Sequence, residues 1–306
     1  MNHPRVAGDP RDVTAWGMVP TPFTRTGEVD HASLHRVVTH LRRRGCDGLI
    51  ALGAIAEPGT LSRGEKIDAV RTIAAAAEDA PVAGAVLALE PDQFESDLVA
   101  VSVETHNALS AIMIPVNTPD PNFLSAAIRR AGDVSGLPVI LQDLPRFSGV
   151  HIDISDLAAA VSASSCCVAV KCEASPTYER IRFLSANTSS AGLISGFGGL
   201  GLVDDVIAGA SSVAIGSTPT GEVVEAMACA LRGRYAEASA VIGSVASRIH
   251  FETQPGANVA IRKRHWQRAG VIETSMVRQP TRRFGPELEE HSLVHHPAVS
   301  PFGLTT

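Results

Sequence analysis

Lys171 is the residue of this sequence whose surroundings most invite chemistry. It closes the apolar run Val168-Ala169-Val170, so its ammonium is expected at the end of a buried strand, partly out of water. Desolvation disfavours the charged form and frees a neutral amine at working pH. A neutral amine attacks a ketone to form an imine, and the protonated imine draws electrons from the adjacent carbon, so that bonds there form and break. Only three of the 26 basic residues are lysines: Lys66, Lys171 and Lys263. A lysine here needs a reason more than an arginine does. The plain alternative for Lys171 is a strand-end side chain that reaches water or pairs with Glu173.

Glu173 lies two residues past Lys171. If the strand pleat continues, both side chains share a face, and a carboxylate beside the amine can move protons. Asp143 follows the preceding apolar run, Val139–Gln142, and is a second candidate for proton transfer. A salt bridge or a helix cap ahead of Pro176 is the structural alternative for these acids. Gly196-Phe197-Gly198-Gly199-Leu200-Gly201 spells G-x-G-x-x-G, the spacing of a dinucleotide loop. It follows a late strand, and no ribose-binding acid follows the next one. Gly196 and Phe197 are therefore expected to line a substrate site. Arg42-Arg43-Arg44 suits the negative end of a helix, and Arg262-Lys263-Arg264 reads as a solvated helix face. His291, His295 and His296 have no helical spacing to fix them as metal ligands, so no metal is expected.

These groups need elements to hold them. Near-continuously apolar runs, typical of strands buried on both faces, occur at Trp16–Val19, Gly48–Leu52, Val82–Val86, Ala111–Pro115, Val139–Gln142, Val168–Lys171, Ala191–Ser195 and Ser212–Ile215. Amphipathic stretches alternate with them: His31–Arg44, Ser62–Asp79, Asp92–His106, Asn122–Ala131, Asp153–Ser162, Thr177–Ser185 and Val203–Ala208. Ser62 and Glu65 form a capping-box pattern. Such alternation implies parallel strands with right-handed crossovers. Eight units in so short a span predict an α/β fold, a (β/α)8 TIM barrel, over residues 1–220. Gly221–Arg232, Arg234–Arg248 and Asn258–Gly270 predict a C-terminal helical extension over 221–290. Residues 291–306 are expected to be extended or loose. In a barrel, chemistry sits where strands end, and that rule selects Ala54 and Ile55, Gln142 and Asp143, Lys171 and Glu173, Gly196 and Phe197, and the end of the last strand near Ala214.

The composition excludes several classes. A net charge of -6 gives no basic surplus for a nucleic-acid backbone. No apolar run reaches the ~18 residues of a membrane helix, and Met1 to Trp16 lacks an apolar segment of the secretory kind. The five cysteines have no metal-type spacing, and Cys166 and Cys167 are adjacent. Reduced thiols in a cytoplasmic protein are the expectation.

The ordered motifs resemble the dihydrodipicolinate synthase and N-acetylneuraminate lyase family, class I pyruvate-type aldolases. The resemblance rests on Val19-Pro20-Thr21-Pro22-Phe23, Gly45-Cys46-Asp47-Gly48, Leu52-Gly53-Ala54-Ile55-Ala56-Glu57, Leu61-Ser62-Arg63-Gly64-Glu65, Leu137 to Pro145, Val168 to Lys171 and Arg278-Gln279-Pro280. It implies that Lys171 is a Schiff-base lysine, that backbone N–H groups at Ala54 and Ile55 hold a carboxylate, and that Glu57 is structural. It also implies a homotetramer of dimers, or a homodimer, with no cofactor. The departures are specific. The family's Gly-Thr-Thr-Gly-Glu loop has lost both threonines. The tyrosine of strand five is Gln142, which hydrogen-bonds but carries no proton of pKa ~10. Pro115-Val116-Asn117 lacks the partner-subunit tyrosine. Phe147 stands where a dicarboxylate-binding arginine belongs, with Arg146 displaced by one. Dihydrodipicolinate synthase proper is therefore disfavoured. The expected function is a lyase forming or cleaving a C–C bond of a 2-oxo acid through Lys171. Gln142 would orient substrate, and Glu173, Asp143 or water would move protons. The alternatives are a deoxy-sugar-acid dehydratase using the same imine, or a catalytically impaired metabolite-binding relative.

Overall fold

The computed structural model describes residues 9–105, 108–188 and 191–295. Strands β1 (Ala15–Met18), β2 (Gly48–Ala51), β3 (Val82–Ala85), β4 (Ala111–Pro115), β5 (Val139–Asp143), β6 (Cys167–Cys172), β7 (Gly192–Ser195) and β8 (Ser212–Ile215) close in sequence order into a barrel. All pairings, including β1 with β8, are parallel. Every expected strand is present with its ends within one residue. Apolar runs of four to six residues can satisfy their backbone only by pairing on both edges, and a closed parallel barrel does that without leaving an edge.

The helices are α1 (His31–Arg43), α2 (Arg63–Ala76), α3 (Pro91–Leu98), α4 (Pro121–Ser135), α5 (Pro145–Ser148), α6 (Ile154–Ser162), α7 (Thr177–Asn187), α8 (Leu202–Ala208), α9 (Thr220–Leu231), α10 (Tyr235–Glu252), α11 (Asn258–Arg268) and α12 (Glu289–His295). The capping box at Ser62 and Glu65 is formed in both directions. Leu34, Val37, Val38 and Leu41 turn the apolar stripe of α1 onto the sheet, as i, i+3, i+4, i+7 spacing requires. The stretch expected as one helix from Asp92 changes pitch at Val99, where a π-helical turn continues to Val103; His106 lies outside the described residues. α9 packs on β8, β1 and α8 and completes the ring of helices, and α10 packs along α9.

Two layers of apolar side chains follow from strand alternation. Leu49, Leu141, Val170 and Cys172 face the helices, while Ile50, Ile140, Ala169 and Ala214 fill the barrel. The pairing of β5 with β6 shifts register between Val139 and Ile140, beyond which Gln142 stands opposite Lys171 and Asp143 opposite Cys172. The C-terminus corrects an expectation. Residues 289–295 are helical rather than loose, because Glu289 accepts from Arg264 and Arg268 and Ser292 is buried against His265. Residues 296–306 of the expected tail, His296 among them, lie outside the described residues. No helix among the described residues is long and apolar enough to cross a membrane.

Candidate active site

The three lysines share one fate. All are buried, and each meets one carboxylate: Lys66 with Asp97, Lys171 with Glu173, and Lys263 with Glu57. Lys171 lines a cavity at the C-terminal end of the barrel together with Gln142 and Glu173. Its Nζ donates to Glu173 Oε2 at 2.6 Å. Gln142 Nε2 donates to the same oxygen at 2.8 Å, and the Phe197 backbone N–H reaches Oε1 at 3.3 Å. Burial pushes the Glu173 carboxyl up. The Lys171 charge and these hydrogen bonds outweigh it and hold the group below the ordinary carboxylate range. The amine is therefore not an unpartnered neutral group, as desolvation alone led us to expect. It stands in a buried ion pair, the structural alternative recognised in the sequence.

Side-chain parity explains which expected residues meet. Gln142, Lys171 and Glu173 point into the barrel mouth, and Asp143 and Cys172 point to the helical layer. Asp143 is not brought to the amine: its Oδ2 accepts from Arg180 Nε at 2.8 Å, and it does not line the cavity. Burial raises its pKa, and Arg180 only partly offsets this. The cavity around Lys171, about 70 Å³, is lined by Ala54, Ile55, Phe197 and Ala214 as expected from the strand ends. Gly196 lies beneath Glu173 instead, where a β-carbon would come within 2.1 Å of Glu173 Cγ. Glycine is required there by close approach.

The loop after β2 is a short 3-10 turn, Ala54–Ala56, whose internal bond runs from Ala56 N–H to the Gly53 carbonyl at 2.8 Å. The N–H groups of Ala54 and Ile55 precede that bond, on residues that line the cavity. Backbone strain collects around the site. Leu52, Glu57 and Phe197 take positive φ of 57°, 55° and 50°, a conformation that costs a non-glycine residue of order 1 kcal/mol or more. Glu57 is held by Lys263 and by the Arg278 N–H at 3.0 Å, and so ties α11 and the segment after it to the β2 loop. Burial brings Lys263 down to about 8 despite Glu57.

The reading of Arg262-Lys263-Arg264 as a solvated face is overturned. Arg262 is 6% exposed and Lys263 fully buried. Successive helix residues point about 100° apart, so the three have separate targets. Arg262 lines the cavity, Lys263 meets Glu57, and Arg264 meets Glu289. A signal for this was present: Ala260, Lys263 and Trp266 recur at i, i+3 and are all buried. Arg146, Met18, Thr253 and Asn258 also line the cavity, and sequence reasoning had not placed them there. A larger cleft of about 570 Å³ adjoins at the ends of β2 and β3 and shares Ala54. It contains Lys66 and Asp97 but not Gln142, Lys171, Glu173 or Arg262. Among the described residues no group of three potential ligands could hold a metal.

A sequence model of the Dihydrodipicolinate synthetase family matches residues 14–87, from β1 through the β2 loop and β3. Over that segment the chain is similar to the family. The 4-hydroxy-tetrahydrodipicolinate synthase 1 of Streptomyces coelicolor is 34% identical over 155 residues, covering 49% of this chain and 50% of that protein. The 4-hydroxy-tetrahydrodipicolinate synthase of Mycolicibacterium paratuberculosis is 30% identical over 143 residues, 46% and 48% of the two chains. The chain thus matches about half the length of these curated relatives. Solved structures extend the likeness of fold to the whole barrel. Dihydrodipicolinate synthase from Rhodopseudomonas palustris superposes with a TM-score of 0.85 at 22% identity, over 94% of this chain and 98% of that one. CdNal from Clostridium difficile, solved in complex with mannosamine, gives 0.82 at 14% identity, over 93% and 98%. The matched segment contains the β2 loop, which lines the cavity, but not Gln142, Lys171 or Glu173.

Proposed function

We propose that this protein is a class I enzyme that forms or cleaves a C–C bond of a small 2-oxo acid through an imine on Lys171. The observation that carries the reading is the placement of Lys171, Glu173 and Gln142 around one cavity at the C-terminal end of a (β/α)8 barrel. In this reading the ion pair is the resting state of a proton relay. When the carbonyl enters, Glu173 takes a proton from Lys171, and the freed amine attacks C2. The carbonyl oxygen gains protons and leaves as water, giving an iminium. Glu173 then removes a proton from C3, and the enamine carries the C–C step. Gln142 Oε1, buried and without a hydrogen-bond partner among the described residues, is available to a substrate or water hydroxyl. Backbone N–H groups at Ala54 and Ile55 face the carboxylate. Asp143 drops out of the proposal.

The cavity favours the smallest acids, since about 70 Å³ is far below the ~300 Å³ at which pockets for drug-sized ligands begin. A deoxy-sugar-acid dehydratase is the less favoured variant for that reason. Dihydrodipicolinate synthase activity proper is disfavoured by the absent threonine and tyrosine hydroxyls, although the curated relatives are named 4-hydroxy-tetrahydrodipicolinate synthases. The reading includes a homotetramer or homodimer and a cytoplasmic location, supported by the family resemblance and by buried thiols at Cys46 and Cys167 that burial pushes up to about 12. A second reading, a metabolite-binding relative without catalysis, is favoured by the tight pairing of the amine itself. Borohydride reduction in the presence of pyruvate, followed by intact mass measurement, separates the two. A covalent adduct that disappears in Lys171→Ala supports the enzyme, and no adduct with any 2-oxo acid supports the binder.

A further inference from the structure

We propose that Arg262, delivered by α11 from the C-terminal extension, is the side chain that binds the substrate carboxylate in the Lys171 cavity. The inference rests on reading that cavity as a 2-oxo acid site. Arg262 is more than nine-tenths buried, lines the cavity, and keeps Nε and Nη1 out of solvent with no hydrogen-bond partner among the described residues. A buried guanidinium without an acceptor is costly, and such groups are normally paired. The nearby acids are committed elsewhere. Glu173 is held by Lys171, Gln142 and the Phe197 N–H. Glu252 accepts from the Thr218 N–H at 2.7 Å and meets His265. Both act on Arg262 only through space.

The charge of the lining agrees. Arg146, Lys171 and Arg262 face one acid, Glu173, a surplus of two positive charges. Conversion of the amine to an iminium keeps its charge, so the surplus persists through an imine reaction and calls for an anionic ligand. Arg146 is solvent-exposed and stacks over Phe197, with 5.2 Å from Cζ to the ring centroid; water solvates it. Arg262 has no such recourse. Burial pulls it down to about 10, which still leaves it charged at neutral pH. A planar fork of N–H donors matches a carboxylate, and the N–H groups of Ala54 and Ile55 lie on the β2 loop against which α11 packs.

The test uses the full chain and its Arg262→Met and Arg262→Lys variants. Borohydride trapping is titrated with pyruvate and with hydroxyacetone, an uncharged ketone, and thermal unfolding is followed with and without pyruvate. The expected result is a ten- to hundredfold rise in half-saturating pyruvate for Arg262→Met, as for loss of a charged hydrogen bond. Hydroxyacetone should shift less than about twofold, and Arg262→Lys should recover part of the pyruvate affinity. Without ligand, Arg262→Met should melt at or above the wild-type temperature, since an unpaired buried charge is removed. A purely structural arginine would lower it. Equal pyruvate affinity, equal losses for both ketones, or a lowered melting temperature without a pyruvate-specific loss overturns the assignment. If the wild type forms no adduct, the imine reading fails. The Arg262 assignment then stands on whether pyruvate raises the wild-type melting temperature and not that of Arg262→Met, and it falls if neither moves.

Discussion

Gly196 and Glu173 occupy one another's space: a β-carbon on Gly196 would lie 2.1 Å from Glu173 Cγ and 2.7 Å from Cδ. The carboxylate reaches Lys171 because the residue that follows β7 has no side chain. Gly196→Ala should push Glu173 off the amine at a cost of about 1–3 kcal/mol, as for overpacking elsewhere. Lys171 would lose its proton acceptor, and imine trapping should slow. A trapping rate and pH profile equal to the wild type would show that Glu173 is not the relay.

Glu173→Gln keeps the shape and removes the charge. The variant should trap pyruvate about 10²- to 10⁴-fold more slowly, the range for loss of a positioned acid–base group. The carboxyl is held below its ordinary range in the folded chain, so its stabilisation is present above the unfolded-state pKa and disappears as pH falls through the lower folded value. Acid unfolding of Glu173→Gln should therefore be less steep across that window. Chemical denaturation at several pH values measures this.

The ion pair of Lys263 with Glu57 joins α11 to the β2 loop from inside. Removing one partner strands the other charge, so Lys263→Met or Glu57→Gln should each cost about 3–5 kcal/mol. The double variant should recover a large part of that loss. Urea unfolding of the three variants decides the matter, and additive losses would contradict direct coupling.

Glu65 binds Arg278 through both carboxylate oxygens, at 2.9 and 2.5 Å, and its pKa falls to about 2, the Arg278 hydrogen bond being the main cause. A depressed carboxyl stabilises above the unfolded value near 4.5 and loses that contribution as pH falls toward 2. Glu65 is 30% exposed, so screening limits the pair to about 1 kcal/mol. Glu65→Gln should lower neutral-pH stability by that much and leave stability at pH 2 unchanged.

The barrel was legible because its signal is local. Each apolar run of β1 to β8 must be buried on both faces, and strand–helix alternation admits few closures. The strand-end rule then selected Lys171, Glu173, Gln142, Ala54, Ile55, Phe197 and Ala214, all of which line one cavity. Asp143 was misplaced because adjacent residues of a strand face opposite sides, and the parity of β5 became fixed only by its pairing with β6. The end of the chain was misread because Glu289 and Ser292 become ordered by Arg264, His265 and Arg268, residues of another helix.

By itself the sequence determined the eightfold alternation, the lysine at the end of the sixth strand and the missing hydroxyls around it, for these depend on residue type and short-range period. Only the tertiary structure decided that the amine is paired, that Gly196 makes room for its partner, and that Arg262 enters the same cavity from 91 residues further along the chain. Charges acquire their partners through space, and burial sets the strength of those pairings. Neither quantity exists until the barrel closes and α11 packs against its mouth.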